Sequence, residues 1–223
     1  MSARFSRGWK PVRRVFIAVA VGLVLAVGAP GGTVSADDDG RGAELFGLCV
    51  QCHGADGAGV ALARAPSLAG LTDWYVEAQL TKFQQGLRGY HPDDVAGLRM
   101  APMSRMLKSE ADIRAVAAYV AGLPAKKPAP QLTGGDAARG KEFFVVCSAC
   151  HGPDAAGNQQ VNAPPLRYAS DWYLHNQLEK FRAGLRGTNP GDPIAATMRP
   201  MSLTLPDEQA LKDVIAYIMT LAE

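Results

Sequence analysis

Two pentapeptides, Cys49-Val50-Gln51-Cys52-His53 and Cys147-Ser148-Ala149-Cys150-His151, decide how this chain of 223 residues is organised. Their spacing suits the attachment of haem c, in which two thiols add to the vinyl groups and the next residue offers an imidazole to the iron. The four cysteines of the chain all lie in these motifs, so none is left for a structural disulfide. We therefore expect two covalently bound haem c groups, with His53 and His151 as iron ligands.

Cys-x-x-Cys also occurs in zinc sites and in thioredoxin-like redox sites. Zinc sites of this kind usually bring two such motifs closer together than the 98 residues that separate them here. A redox site is typical of a βαβ setting, and no period-two stretch in this sequence predicts a sheet. Haem attachment is therefore the interpretation that the motifs favour.

An internal repeat covers nearly all of the chain after residue 36, with a constant offset of 98 residues. Asp73-Trp74-Tyr75 recurs as Asp171-Trp172-Tyr173, and Gly86-Leu87-Arg88-Gly89 recurs as Gly184-Leu185-Arg186-Gly187. A single recurrence at this period indicates the duplication of one small domain rather than a solenoid.

The first 36 residues have the composition of a secretory signal. Five basic residues and no acidic residue precede an apolar run, which leads to the cleavage site Val34-Ser35-Ala36. The run is short for a membrane span, which needs ~20 apolar residues, although an uncleaved anchor is the alternative. Without this segment the chain has 18 basic and 21 acidic residues, a net charge of −3, so nothing indicates binding to nucleic acid.

The signal and the repeat together divide the chain into four segments. We predict a signal peptide at 1–36, a first domain at 37–123, a linker at 124–135 and a second domain at 136–223. The linker contains several prolines, which favour an extended and semi-rigid connection.

Each domain is predicted to consist of helices and loops. Thr72 is expected to cap one helix, Ser109 to begin the last helix of the first domain, and Pro206 to lie in the first turn of its equivalent. The stretches around Met100 and Met198 are expected to be loops. We therefore predict an all-α fold in which each haem supplies apolar volume that so small a domain lacks.

The repeat also narrows the choice of the sixth iron ligand, because equivalent domains should use equivalent ligands. Neither remaining histidine, His91 or His175, recurs in the other half. Methionines do recur, as the pairs Met100 with Met198 and Met103 with Met201. Thioether sulfur is a soft, neutral ligand that favours ferrous iron. The repeat therefore predicts histidine–methionine ligation and leaves both pairs open.

From residue 40 onward, each half resembles a class I c-type cytochrome: a haem motif near the N-terminal helix, Pro-x-Leu, a methionine stretch and a final helix with Ala-Tyr. The two halves together are similar to the periplasmic dihaem cytochromes c of the subclass numbered four, which contain two fused class I domains. In that family the ligand methionine lies seven residues before a leucine that opens the last helix. The resemblance therefore implies that Met100 and Met198, which lie seven residues before Leu107 and Leu205, bind the irons.

The same resemblance implies further contacts with the haem. It assigns a role in the haem site to Pro66 and Pro164, and we expect two other duplicated pairs, Leu68 with Leu166 and Arg88 with Arg186, to contact the haem as well. The proline carbonyls are expected to accept a hydrogen bond from the ligand imidazole, the leucines to pack on the ring, and the arginines to meet the propionates. For the arginines, the alternative is an ordinary exposed position after a helix.

The resemblance implies an electron carrier rather than an enzyme. Its partners would be redox proteins, namely a membrane quinol-oxidising complex as donor and a terminal oxidase or reductase as acceptor, and its location the periplasm. Two other functions stay open: a haem subunit of a larger membrane oxidase or dehydrogenase, and a haem enzyme with a labile sixth ligand. Binding of carbon monoxide or cyanide at neutral pH would separate an enzyme from a carrier with two closed irons.

Overall fold

The computed structural model describes residues 36–222, with side chains from residue 40 onward. The helices of the described residues are α1 (Ala36–Phe46), α2 (Val50–His53), α3 (Asp73–Gln84), α4 (Val95–Ser104), α5 (Glu110–Ala121), α6 (Ala137–His151), α7 (Asp171–Ala183), α8 (Pro193–Ala196), α9 (Met198–Leu203) and α10 (Glu208–Thr220). These residues form no strand, only two isolated bridges, so the prediction of an all-α fold is confirmed.

The predicted signal, residues 1–36, lies outside the described residues except for Ala36, the first residue of α1. Between residues 36 and 222, no helix has the length and apolar character that crossing a bilayer requires.

The predicted linker, residues 124–135, forms no helix. Two of its backbone N–H groups, those of Gln131 and Leu132, donate to the Asp171 carboxylate at 2.6 and 2.8 Å. Asp171 is itself almost fully buried. The end of this segment is therefore fixed to the first turn of α7.

In each half the first and last helices pack together at a glycine. Helix α1 packs against α5, and α6 packs against α10. A Cβ atom on Gly42 would overlap the carbonyl of Ala115, and one on Gly140 would overlap the carbonyl of Asp213. The two glycines are 98 residues apart, and so are the two carbonyl groups that they meet. The absence of a glycine side chain therefore lets the helix backbones approach closely in both halves.

Two of the three predicted helix starts need correction. The Ser109 hydroxyl accepts from the Asp112 N–H at 3.1 Å, as predicted for the cap of α5. Thr72 precedes α3, but its hydroxyl is buried without a hydrogen bond, so its predicted capping contact is wrong. Pro206 lies before α10 rather than in its first turn, because the Asp207 carboxylate caps that helix at the Ala210 N–H.

The methionine stretches are helical, which corrects the prediction of loops. Met100 lies within α4, and Met198 is the first residue of α9. A buried aspartate begins the helical stretch in each half: Asp94 caps α4 at the Gly97 N–H, and Asp192 caps α8, the helix directly before α9, at the Ala195 N–H.

Candidate haem sites

The two motif histidines lie at the ends of α2 and α6 and are buried, with 7 % and 5 % of their surface exposed. The Nδ1 atom of His53 lies 2.9 Å from the carbonyl oxygen of Pro66. The equivalent distance from His151 to Pro164 is 2.8 Å. An imidazole that donates through Nδ1 keeps Nε2 available for a metal, and the hydrogen bond fixes the orientation of the ring.

A glycine that sequence reasoning missed brings each proline close to its histidine. Gly59 has φ +83°, and a Cβ atom there would lie 2.5 Å from the carbonyl carbon of Pro66. Gly157 has φ +86°, and a Cβ atom there would lie 2.7 Å from the carbonyl carbon of Pro164. The repetition of this glycine at the offset of 98 residues was a signal that the sequence did contain.

Burial lowers the pKa of both motif histidines below the ordinary value, and the hydrogen bond to the proline carbonyl offsets part of this shift. Both imidazoles are therefore neutral at pH 7. Neutral imidazole is the form that binds a metal ion.

The four cysteines differ in exposure in the same way in both motifs. Cys49 and Cys147 are half-buried, whereas Cys52 and Cys150 are exposed. Burial, with a smaller contribution from the charge of Cys52, raises the pKa of Cys49 to about 11, and burial also raises the pKa of Cys147. A reactive redox cysteine has a lowered pKa, so these environments disfavour a thioredoxin-like site.

One continuous cavity of about 770 Å³ runs through both halves and is lined mainly by apolar atoms. Its lining includes all four motif cysteines, both motif histidines, and the predicted ring contacts Leu68 and Leu166. Thiols, imidazoles and thioethers therefore meet around a single apolar space. This set of donors fits two covalently attached haems.

All four duplicated methionines line the cavity, but the two pairs differ in exposure. Met100 is half-buried and packs against the core of the first half, and Met198 is also half-buried. Met103 and Met201 are 42 % and 40 % exposed. All four side chains line the space that the haems would fill, so the preference for Met100 and Met198 rests on their spacing to Leu107 and Leu205.

The predicted propionate contacts, Arg88 and Arg186, line the cavity where the two halves meet. Arg88 donates to the Tyr173 hydroxyl of the other half at 2.7 Å. Arg186 donates to Gln177 at 2.7 Å and, across the junction, to Gln79 at 3.2 Å. Both guanidinium groups are half-buried rather than on an exposed helix end, and they can hold anionic groups of the haem.

Sequence reasoning also missed the side chains that hold the end of each methionine helix. Gln84 donates to the carbonyl oxygens of Ser104 and Leu107 at 2.7 and 2.9 Å. Arg182, at the equivalent position, donates to the carbonyl oxygen of Leu205 at 3.1 Å. The two residues differ in type, so a search for identical repeated residues could not find them.

Comparison with known proteins agrees with this geometry. The family model described as cytochrome c matches residues 40–124 and again residues 137–222. A thiosulfate dehydrogenase electron acceptor from Thiomonas intermedia is 34 % identical over 215 residues, which cover 91 % of this chain and 89 % of that protein. A cytochrome c4 from Stutzerimonas stutzeri is 31 % identical over 206 residues, covering 88 % of this chain and 97 % of the relative.

A solved structure gives the same result for the fold. The reduced recombinant cytochrome c4 from Pseudomonas stutzeri superposes with a TM-score of 0.61 at 28 % identity, covering 81 % of this chain and 96 % of that chain. Each family match in this chain contains one Cys-x-x-Cys-His motif. The chain therefore carries two covalently bound haem c groups.

Proposed function

Because the chain belongs to the cytochrome c family, in the tandem dihaem form of cytochrome c4, we propose that it carries single electrons in the periplasm between a membrane quinol-oxidising complex and a terminal oxidase or reductase. The observation that carries this proposal is the pairing, in each half, of a buried histidine with a half-buried methionine on one cavity. Iron with both axial positions closed exchanges electrons without binding a substrate.

In this proposal Met100 and Met198 are the sixth ligands. Each bound haem supplies a centre that takes up and releases one electron. The chain holds the ligand imidazole through the proline carbonyl, excludes water with its apolar lining and leaves Cys52 and Cys150 exposed. Cys49 and Cys52 would hold the first haem through its vinyl groups, and Cys147 and Cys150 would hold the second.

A second donor is favoured by the comparisons. The relative from Thiomonas intermedia, which aligns over nearly the full length, is named an electron acceptor of thiosulfate dehydrogenase. This chain would then take electrons from an oxidoreductase of sulfur compounds instead of from a quinol-oxidising complex.

A stopped-flow experiment with the purified dihaem protein tests the proposal and distinguishes the donors. The oxidised protein is mixed with a quinol-oxidising complex and quinol, or with thiosulfate dehydrogenase and thiosulfate, and reduction of both haems is followed optically. The faster donor identifies the partner class. Rapid binding of carbon monoxide to the reduced protein at neutral pH would show an open iron and would contradict the carrier function.

A further inference from the structure

Two ion pairs cross between the halves of the protein. The Lys82 ammonium of α3 lies 2.7 Å from the Asp192 carboxylate, and the Lys180 ammonium of α7 lies 2.6 Å from the Asp94 carboxylate. The pairs are related by the offset of 98 residues, so each half provides one lysine and one aspartate. At most 16 % of any of these four side chains is exposed.

Each aspartate also caps the helix that leads to a methionine. The same Oδ1 atom of Asp94 that meets Lys180 accepts from the Gly97 N–H of α4 at 2.9 Å. In the other half, Oδ1 of Asp192 accepts from the Ala195 N–H of α8 at 3.0 Å. A lysine of one half therefore holds the cap of the helix that contains Met100 or directly precedes the helix of Met198 in the other half.

The electrostatics of the buried Asp94 cap depend on Lys180. Burial by itself raises the pKa of Asp94, but hydrogen bonds from Lys180 and from the Gly97 N–H outweigh burial and bring the pKa below its ordinary value. Removal of Lys180 would leave the buried Asp94 carboxylate without its hydrogen-bonded counter-charge, which is strongly unfavourable. The aspartate would then move toward water and release the first turn of its helix.

We propose that Lys82 positions the distal methionine of the second haem, and that Lys180 positions the distal methionine of the first haem. Each lysine acts through the aspartate cap of the opposite half, so each is a positioning residue and not a ligand. The proposal rests on the proposed ligation by Met100 and Met198. It goes beyond that ligation, because the stability of each methionine–iron bond would depend on the docking of the other domain.

The test uses the weak far-red absorption band that sulfur-ligated ferric haem gives, and the rate at which cyanide bleaches it. Cyanide can bind only when the methionine has left the iron, so the bleaching rate reports the opening of one methionine helix. In Met100→Ala the remaining band belongs to the second haem, and in Met198→Ala it belongs to the first. Lys82→Met is introduced into each of these two backgrounds.

We expect Lys82→Met to speed bleaching of the second haem about tenfold, because the buried cap loses its counter-charge. The bleaching rate of the first haem should change by less than about twofold, since the Asp94 cap of its half still pairs with Lys180. Lys180→Met should give the reverse result. Lys82→Arg keeps the charge and should restore the slow rate in the second haem.

Tyr90→Phe is the matched control for general loosening between the halves. The Tyr90 hydroxyl lies 2.7 Å from the Thr188 hydroxyl across the same junction, and this hydrogen bond involves neither Asp94 nor Asp192. Its removal should leave both bleaching rates unchanged. If Lys82→Met prevents folding, Lys82→Gln replaces it, because glutamine keeps a polar end on the side chain and removes only the charge that faces the Asp192 carboxylate.

If Lys82→Met speeds cyanide bleaching of both haems equally, the proposal is overturned. It is also overturned if only the first haem bleaches faster. The second result would mean that Lys82 serves the haem of its own half, for example through a propionate. Failure of the proposed ligation gives a different outcome. In that case the single variants Met100→Ala and Met198→Ala, with both lysines intact, would each keep the full far-red band.

Discussion

At the scale of single residues, a glycine decides where each ligand-orienting carbonyl lies. Gly59 donates its N–H to the carbonyl oxygen of His53 at 2.8 Å and adopts φ +83°. This conformation closes the loop between Val60 and Ala65, which form an isolated bridge, and brings Pro66 against the histidine. An L-residue side chain at this position would meet both the strained φ and the backbone of Pro66.

We predict that Gly59→Ala destabilises the first half far more than Gly86→Ala does. Gly86 also has positive φ, +69°, but a Cβ atom there would meet nothing within 4 Å. Both variants strain the backbone, whereas only Gly59→Ala adds overlap with Pro66. The difference in unfolding free energy should be about 1–3 kcal/mol, measured by denaturant titration. Equal losses would show that the close approach to Pro66 has no energetic consequence.

The choice between the two methionine pairs is testable in the same way. Met198→Ala should remove about half of the far-red band of the ferric protein, and open one iron of the reduced protein to carbon monoxide, because it deletes the proposed sulfur ligand. Met201→Ala is the control three residues away, at a side chain that is 40 % exposed, and should leave the band intact. The assignment is wrong by one helical turn if the two variants behave the other way round.

Much of the site was readable from the sequence because the chemistry needs fixed residue types at fixed spacing. Cys52 and His53 belong to a motif, and the duplication supplied the alternatives for the sixth ligand. Thr72 shows the limit of such reasoning, since a capping residue type is only a propensity and its hydroxyl is buried without a partner. Contacts across the junction, such as Arg88 with Tyr173, depend on tertiary docking and have no local signal.

At the scale of elements, the two methionine helices differ although the sequence around them repeats. Helix α4 is continuous over Val95–Ser104, whereas the second half has α8 and then α9, with Thr197 between them. The two equivalent prolines therefore occupy different positions within their helices. Pro102 lies deep inside α4, and Pro200 lies in the first turn of α9, where no helical partner for its nitrogen is lost.

We predict that Pro102→Ala stabilises the first half, and that Pro200→Ala does not stabilise the second. Alanine at 102 can donate to the carbonyl oxygen of Leu98, which should contribute about 1–2 kcal/mol after the gain in unfolded-chain entropy is subtracted. Alanine at 200 gains no such bond, so Pro200→Ala should lower the unfolding free energy by up to about 1 kcal/mol. Thermal unfolding of the two variants beside the parent protein measures both effects. A loss of stability in Pro102→Ala would mean that the proline ring contributes more to the packing of α4 than the restored hydrogen bond does.

Element types were easier to predict than element limits. The apolar spacing in α5 and α10 predicted helices, because one face of each must pack on a core. The methionine stretches were predicted as loops because prolines and glycines lower helix propensity. The buried caps Asp94 and Asp192 override that propensity, and each forms an ion pair with a lysine of the other half of the chain.

At the scale of the whole molecule, the two halves share one cavity but surround it with different charges. Arg64 and Arg99 of the first half line the cavity. The residues at the same positions of the second half, Asn162 and Thr197, also line it but are neutral. The duplication therefore kept the cysteines and histidines and changed the electrostatic surroundings of one haem.

We predict from this difference that the first haem has the higher reduction potential. Oxidation adds a positive charge to the haem, and a nearby guanidinium opposes that charge. Arg64→Asn should lower the first potential by about 30 mV, which is about 0.7 kcal/mol for one electron. The shift is small because Arg64 is exposed and solvent screens its charge. Asn162→Arg is the reciprocal variant and should raise the second potential.

A potentiometric titration of the dihaem protein measures both potentials. The parent protein should require two one-electron waves, and either variant should bring the waves closer together, because each makes the two surroundings more alike. With the higher wave on the first haem, electrons that enter the second half move on to the first half, so the order of potentials sets the direction of internal transfer. A single unbroadened wave in the parent protein would contradict the prediction, and so would an Arg64→Asn variant whose lower wave moves.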